Sequence, residues 1–146
     1  MSQAPFAPRA IGLVWVGGAL GAGTREALTL AFPAVNGIPL TILAINIGGA
    51  LLLGLLLSAL AARGPDEGLR RDVRLLCGTG LMGGFTTYSA LGSDTAHLIL
   101  TGRVAAGVGY ALATVVVGAL ASWAGIVLGR RLLSRGGTPD ATAGAA

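Results

Sequence analysis

Between Leu75 and Ser93 the chain runs uncharged through LLCGTGLMGGFTTYSALGS, with Gly78, Gly80, Gly83 and Gly84 followed by the hydroxyls of Thr86, Thr87, Tyr88 and Ser89. The stretch is long enough to cross a bilayer and poorly composed for one unbroken helix. A spanning helix satisfies its own backbone, and hydrocarbon penalises every group left unpaired. Glycines followed by hydroxyls at that depth predict a break, and broken helices are tolerated where the freed carbonyls and amides hold an ion or line a cavity. The chemistry offered is ion handling.

Other candidate residues lie around this stretch. Gly17, Gly21 and Arg25 recur every fourth residue and share one helical face, a small-residue seam ending in a guanidinium. Arg25 reads equally as a helix-end anchor beside Glu26 or as a functional cation. In TILAINIGGALLLGLLL the strongly polar side chain is Asn46, on the face of Gly49 and near Gly54. It is either interhelical glue or a pore-lining amide, and its small-residue groove favours the second. Beyond the expected break, Thr87, Leu91 and Asp94 align on one strip, with Tyr88, Gly92 and Thr95 on the next. Asp94 is an intramembrane carboxylate, by default a functional candidate. His97, three residues on, gives too few ligands for a metal site. Tyr110, Thr114, Gly118 and Ser122 form a polar and small face for close packing, the first two being possible donors into a groove. Gly78-x-Gly80-x-x-Gly83 matches the dinucleotide fingerprint but lacks the βαβ setting that gives it meaning.

The elements that must position these residues follow from composition. The chain is 53% hydrophobic and 11% charged over 146 residues, with mean hydropathy +0.78, against about 25% charged in soluble domains. A membrane-resident, all-α protein is expected. Spanning helices need about 20 apolar residues, and four candidates fit: residues 10–30, 38–62, 73–100 and 104–129. They form one domain over residues 10–133, with the third helix broken mid-membrane, between disordered tails at residues 1–9 and 134–146. A signal peptide is rejected, because the first apolar run carries Arg25 and has no cleavage site. Cys77 reads as a small apolar helix residue.

All ten basic residues are arginine, set at the ends of apolar runs rather than in a patch, so nucleic-acid binding is excluded. With four spans, Arg9, Arg63, Arg70, Arg71, Arg74, Arg130, Arg131 and Arg135 share one side, against Arg25 and Arg103 opposite. The positive-inside bias places both termini in the cytoplasm of a multi-pass plasma-membrane protein.

GGALGAGTRE (Gly17 to Glu26), NIGGALLLG (Asn46 to Gly54) and GTGLMGGFTTYS (Gly78 to Ser89) resemble the signatures of the Fluc, or CrcB, fluoride channels. The resemblance covers nearly the whole chain apart from its tails. It implies a fluoride-specific channel without enzymatic activity, passively exporting fluoride through narrow pores between two inversely inserted subunits. It also implies a structural, non-transported Na+ at the dimer centre, held by main-chain carbonyls that match Gly83 and Thr86. Arg25 matches the family's first-span arginine and Asn46 its pore asparagine, while Ser89, Ala90 and Asp94 match the polar track. Gly17, Gly21, Gly49 and Gly84 fall within the same signatures as structural positions.

Tyr88 and Leu91 stand where the family usually has two phenylalanines that meet fluoride edge-on. Tyr88 keeps a ring and Leu91 does not; Ala90 lacks the usual hydroxyl, and Leu51 replaces a common phenylalanine. One conduction path is therefore expected to be weakened. An eight-to-two arginine bias also suits a chain that inserts one way. The dimer is thus either a homodimer or, as the bias favours, a heterodimer with a related subunit of opposite orientation. Two rivals remain. A small four-span exporter would need a proton-coupling carboxylate deep in the first span, and the candidate there, Glu26, lies at its end. A non-transporting assembly subunit rests on the degraded aromatic set.

Overall fold

The computed structural model describes residues 7–134, so most of each expected tail, residues 1–6 of 1–9 and 135–146 of 134–146, with Arg135, lies outside the described residues. The chain is all-helical, and among the described residues there is no β-strand beyond an isolated bridge. Helix α1 covers Pro8–Ala31, α2 Leu40–Ala61 and α3 Gly68–Val73. A π-helical stretch, Arg74–Met82, leads into the short α4, Gly83–Phe85. Helices α5, Tyr88–Leu100, and α6, Val104–Ser134, complete the chain. Among the described residues two helices are long and apolar enough to cross a membrane, over Leu40–Ala61 and Val104–Leu132, with mean hydropathies of 2.3 and 2.1.

The ends of these elements follow from local chemistry. Pro8 occupies the first turn of α1, where its missing N–H is no loss. The helix thus begins inside the stretch expected as an unstructured tail, and Arg9 pairs with Asp72 at 2.6 Å. Pro33 pushes Phe32 out of helical geometry and ends α1. Asn36 and Gly37 then take φ of 51° and 73°, the left-handed pair that a two-residue reversal requires, and Val35 and Ile38 exchange backbone hydrogen bonds across it. At the close of α5, Gly102 (φ 81°) donates to Ile99 and Arg103 to Leu98, a Schellman arrangement that satisfies the last carbonyls. The Arg103 guanidinium crosses to the Asn36 carbonyl at 2.7 Å and ties the two reversals together. At the charged end, Arg74 pairs with Asp66 at 2.7 Å and holds its carboxyl below the ordinary carboxylate value.

Two seams of glycine hold the helices together. Helix α1 lies along the π-helical stretch and α4, with Gly17 and Gly21 against the backbone of Leu76 and Leu81. Gly80 and Gly84 return the contact onto the backbone of Val14 and Gly18. A Cβ at any of these positions would enter a neighbouring main chain. The glycines expected to break the third segment therefore lie inside helical turns, and at Gly80 and Gly84 their role is close approach. Helix α2 lies along α6 in the same manner, Gly54 facing the Ser122 carbonyl and Gly125 the Leu51 carbonyl. Such seams bring backbones into dispersion contact where lipid removes any hydrophobic drive between helices.

The exterior is apolar. Trp15 is 73% exposed and Trp123 65%, and Leu20, Leu112, Val116 and Leu120 also face outward. Buried large residues are few, with Leu91, Leu98 and Tyr110 forming the α5–α6 core. That inversion suits hydrocarbon as the surrounding solvent.

The seam makes a contrast measurable. Gly21→Val should lower the thermal midpoint of the purified protein, at an overpacking cost of about 1–3 kcal/mol. Gly23→Ala, whose Cβ would meet nothing within 4 Å, should not lower the midpoint and should raise it through the helix preference of alanine over glycine, about 0.5–1 kcal/mol.

Candidate ion-handling site at a helix interruption

Helical geometry stops at Phe85. Thr86 (φ −79°, ψ 156°) and Thr87 (φ −148°, ψ 122°) are extended, and the helix resumes at Tyr88. Such an interruption orphans the carbonyls of one helix end and the amides of the next. The groups that replace the lost helical partners are side chains named by the sequence reading.

Asn46 does most of this. Its Oδ1 accepts the Thr87 N–H at 2.8 Å, and its Nδ2 donates to the Thr87 carbonyl at 3.1 Å. One amide thereby satisfies both backbone groups of one extended residue, as a neighbouring strand would. Gly49, on the same face of α2, is buried and leaves the space that the Thr86 methyl fills. The Thr86 hydroxyl donates to the Met82 carbonyl at 2.9 Å. Thr87 is the N-cap of α5, its Oγ1 accepting from the Ala90 N–H at 3.1 Å and lying 3.1 Å from the Ser89 hydroxyl. Arg25 reaches from α1 to the Gly84 carbonyl at 3.3 Å, and its guanidinium stands 3.9 Å from Glu26. Of the two readings open for Arg25, the geometry supplies a backbone partner at the interruption.

Two carbonyls at the interruption have in-helix donors that are given to side chains. The in-helix donor to Gly83 is the N–H of Thr87, which is given to Asn46. The in-helix donor to Thr86 is the N–H of Ala90, which is given to the Thr87 hydroxyl. The neighbouring Gly84 carbonyl is served by Arg25 and that of Thr87 by Asn46. Gly83 and Thr86 thus offer oxygen ligands without their helical donors, the donor type that hard cations take.

The remaining candidates gather elsewhere. Leu91 is buried in the α5–α6 core with Tyr110 and Leu98. Thr114 is buried beside them, but its hydroxyl donates to the Tyr110 carbonyl at 2.8 Å, so its proton is not free for a guest. Asp94 is half-buried on α5, and the buried Tyr110 hydroxyl has no hydrogen-bond partner among the described residues. Tyr88 is 83% exposed on the outer surface. The residues therefore form two groups, one at the interruption and one between α5 and α6, with Tyr88 outside both. Sequence reasoning missed the capping role of Thr87, although a threonine just before an apolar helix is a capping signal. It also missed the Arg103–Asn36 tie, for which no local signal exists.

A family model described as CrcB-like protein, Camphor Resistance (CrcB), matches residues 12–126, which include every element of the interruption. The chain belongs to the CrcB family. A relative from Leifsonia xyli subsp. xyli, named fluoride-specific ion channel FluC 2, is 53% identical over 88% of this chain and 89% of its own. Fluoride-specific ion channel FluC 1 of Cutibacterium acnes is 43% identical over 88% of this chain and 90% of its own. The fluoride-specific ion channel FluC of Paracoccus denitrificans is 43% identical over 83% and 94%.

The cap carries a prediction. Thr87→Val, which keeps shape and loses the acceptor, should reduce thermal stability by about 1 kcal/mol. Thr87→Ser should retain the wild-type midpoint in the same melt.

Proposed function

We propose that the chain is a subunit of a fluoride-specific channel that lets fluoride leave the cytoplasm passively, without catalysis. The observation that carries the substrate is 53% identity, over most of both chains, to a relative named for fluoride conduction. In this reading residues 10–133 cross the plasma membrane four times: by α1, by α2, by the run from α3 to α5, and by α6. The interruption at Thr86 and Thr87 lies at mid-membrane. Both termini are cytoplasmic, following the arginine bias.

Fluoride enters cells as neutral hydrogen fluoride and dissociates inside, where the charged form is trapped. The membrane potential, negative inside, drives the anion out through an open path. Such a path must replace a tightly held hydration shell in a narrow space. Asn46 retains a second N–H beyond the one given to Thr87, and Ser89 adds a hydroxyl beside it. Tyr88 presents its ring at the surface, where a neighbouring chain would cover it, and a ring edge meets an anion without a mobile counter-ion. Leu91 contributes no ring and faces its own core.

The second chain is inverted relative to the first. Sodium joins the two through the Gly83 and Thr86 carbonyls, supplying fixed positive charge between subunits and not being transported. The diverted helical donors of those carbonyls support the assignment. The partner is a related subunit of opposite charge bias with a fuller aromatic set. Two observations support this: the arginine imbalance, and relatives bearing the numbered names FluC 1 and FluC 2.

Two outcomes test the reading. Asn46→Asp should abolish fluoride efflux from liposomes by placing negative charge on the anion's path; normal flux would remove Asn46 from it. The chain expressed alone should give little efflux and fail to rescue a fluoride-sensitive strain, whereas co-expression with its sister subunit should restore both. Robust efflux from this chain alone would end the heterodimer assignment.

A further inference from the structure

A purely pore-lining amide would keep its polar atoms for the permeating ion. Asn46 instead commits its oxygen and one N–H to Thr87. We propose that Asn46 is a positioning residue for the cation site: it takes the Thr87 N–H that would otherwise close the helix onto the Gly83 carbonyl, and so keeps that carbonyl open to sodium. This inference rests on the sodium assignment made above.

The physical alternatives at Thr87 are few. In apolar surroundings its N–H must find an acceptor. The carbonyl four residues earlier is that of Gly83, the ordinary helical acceptor. The helical run from Gly68 to Phe85 is already wound up to that point, so one more hydrogen bond would carry it one residue further. Two features oppose the extension. Gly49 provides the space that the extended Thr86 uses, and the Thr87 hydroxyl holds α5 from its start. Asn46 adds the decisive term by accepting from the N–H and donating to the C=O of the same residue. Without it, sodium competes with an intrahelical hydrogen bond for the Gly83 oxygen.

The conservative variants separate this role from pore lining. Asn46→Asp keeps an oxygen acceptor for the Thr87 N–H, whereas Asn46→Ala removes it. The assembled protein, co-purified with its partner where it requires one, is melted in detergent over a sodium chloride series at constant ionic strength with N-methylglucamine. The readout is the sodium concentration giving half-maximal stabilisation, and fluoride flux is measured in parallel. Asn46→Ala should raise that concentration about tenfold, the equivalent of one hydrogen bond lost to the competing acceptor. Asn46→Asp should hold sodium at least as tightly as the unsubstituted protein while losing flux.

An unchanged sodium midpoint in Asn46→Ala overturns the proposal, and so does a weakening in Asn46→Asp as large as in Asn46→Ala. If the alanine variant does not assemble, Asn46→Ser, whose short hydroxyl cannot serve both backbone groups of Thr87, takes its place: a raised sodium midpoint supports the role, and an unchanged one ends it. Failure of the sodium assignment itself is distinct. The unsubstituted protein would then melt identically in sodium and in N-methylglucamine, and the proposal would fall with it.

Discussion

A backbone that leaves its helix inside an apolar protein must find a partner for every polar group it exposes. In hydrocarbon each failure costs several kcal/mol. The structure meets this constraint at Thr86 and Thr87 with three side chains from three helices: Asn46 from α2, Arg25 from α1 and Thr87 capping α5. They are assigned group by group. The Gly83 and Thr86 carbonyls are two whose ordinary donors are given to side chains. In the proposed reading, selective satisfaction of this kind would make an ion site from main chain alone, without a cluster of acidic ligands.

The glycine seams make that bookkeeping possible. Arg25 spans from α1 to the Gly84 carbonyl only because Gly17, Gly21, Gly80 and Gly84 let two backbones nearly touch. Asn46 reaches Thr87 across a gap set by Gly49, where the Thr86 methyl occupies the place of a side chain. Small residues here fix distances between polar groups on different helices. A methyl added at the seam would move the partners of the interruption apart before it disturbed any of them chemically. Packing and site are thus one design, and that explains a chain so rich in glycine that remains helical almost throughout.

Much of this was legible from residue order. The periodicity of Gly17, Gly21 and Arg25 gave one face of α1, and the step from Asn46 to Gly49 gave one face of α2; both faces meet the interruption. The glycines of the third segment misled, because glycine is permissive in two senses: it tolerates unusual backbone angles, and it admits close neighbours. Sequence cannot tell which sense is used, since the difference lies in what stands opposite. Here α1 stands opposite, and the extended residues are two threonines whose hydroxyls supply local caps. Likewise, helical spacing placed Leu91 with Thr87 and Asp94, but it could not say that α6 covers Leu91 while Tyr88 faces outward. The Arg103–Asn36 tie joins residues distant in sequence through a single carbonyl, and composition carries no trace of it.

Apolar exposure alone does not say where this protomer meets another chain, because Trp15, Leu112 or Trp123 is equally at ease against lipid. Polar backbone discriminates better. Gly83 is exposed, a Cβ there would meet nothing within 4 Å, and its carbonyl has lost its in-helix donor to Asn46. Acyl chains give that oxygen nothing, whereas a cation shared with a second copy of the same architecture would satisfy it. The exposed ring of Tyr88 belongs to the same stretch of chain, five residues on. The surface that lipid would penalise most is therefore the one carrying the ion-handling groups. In the proposed reading the cost of a carbonyl without its donor would favour association there over the weak dispersion available elsewhere on the apolar exterior.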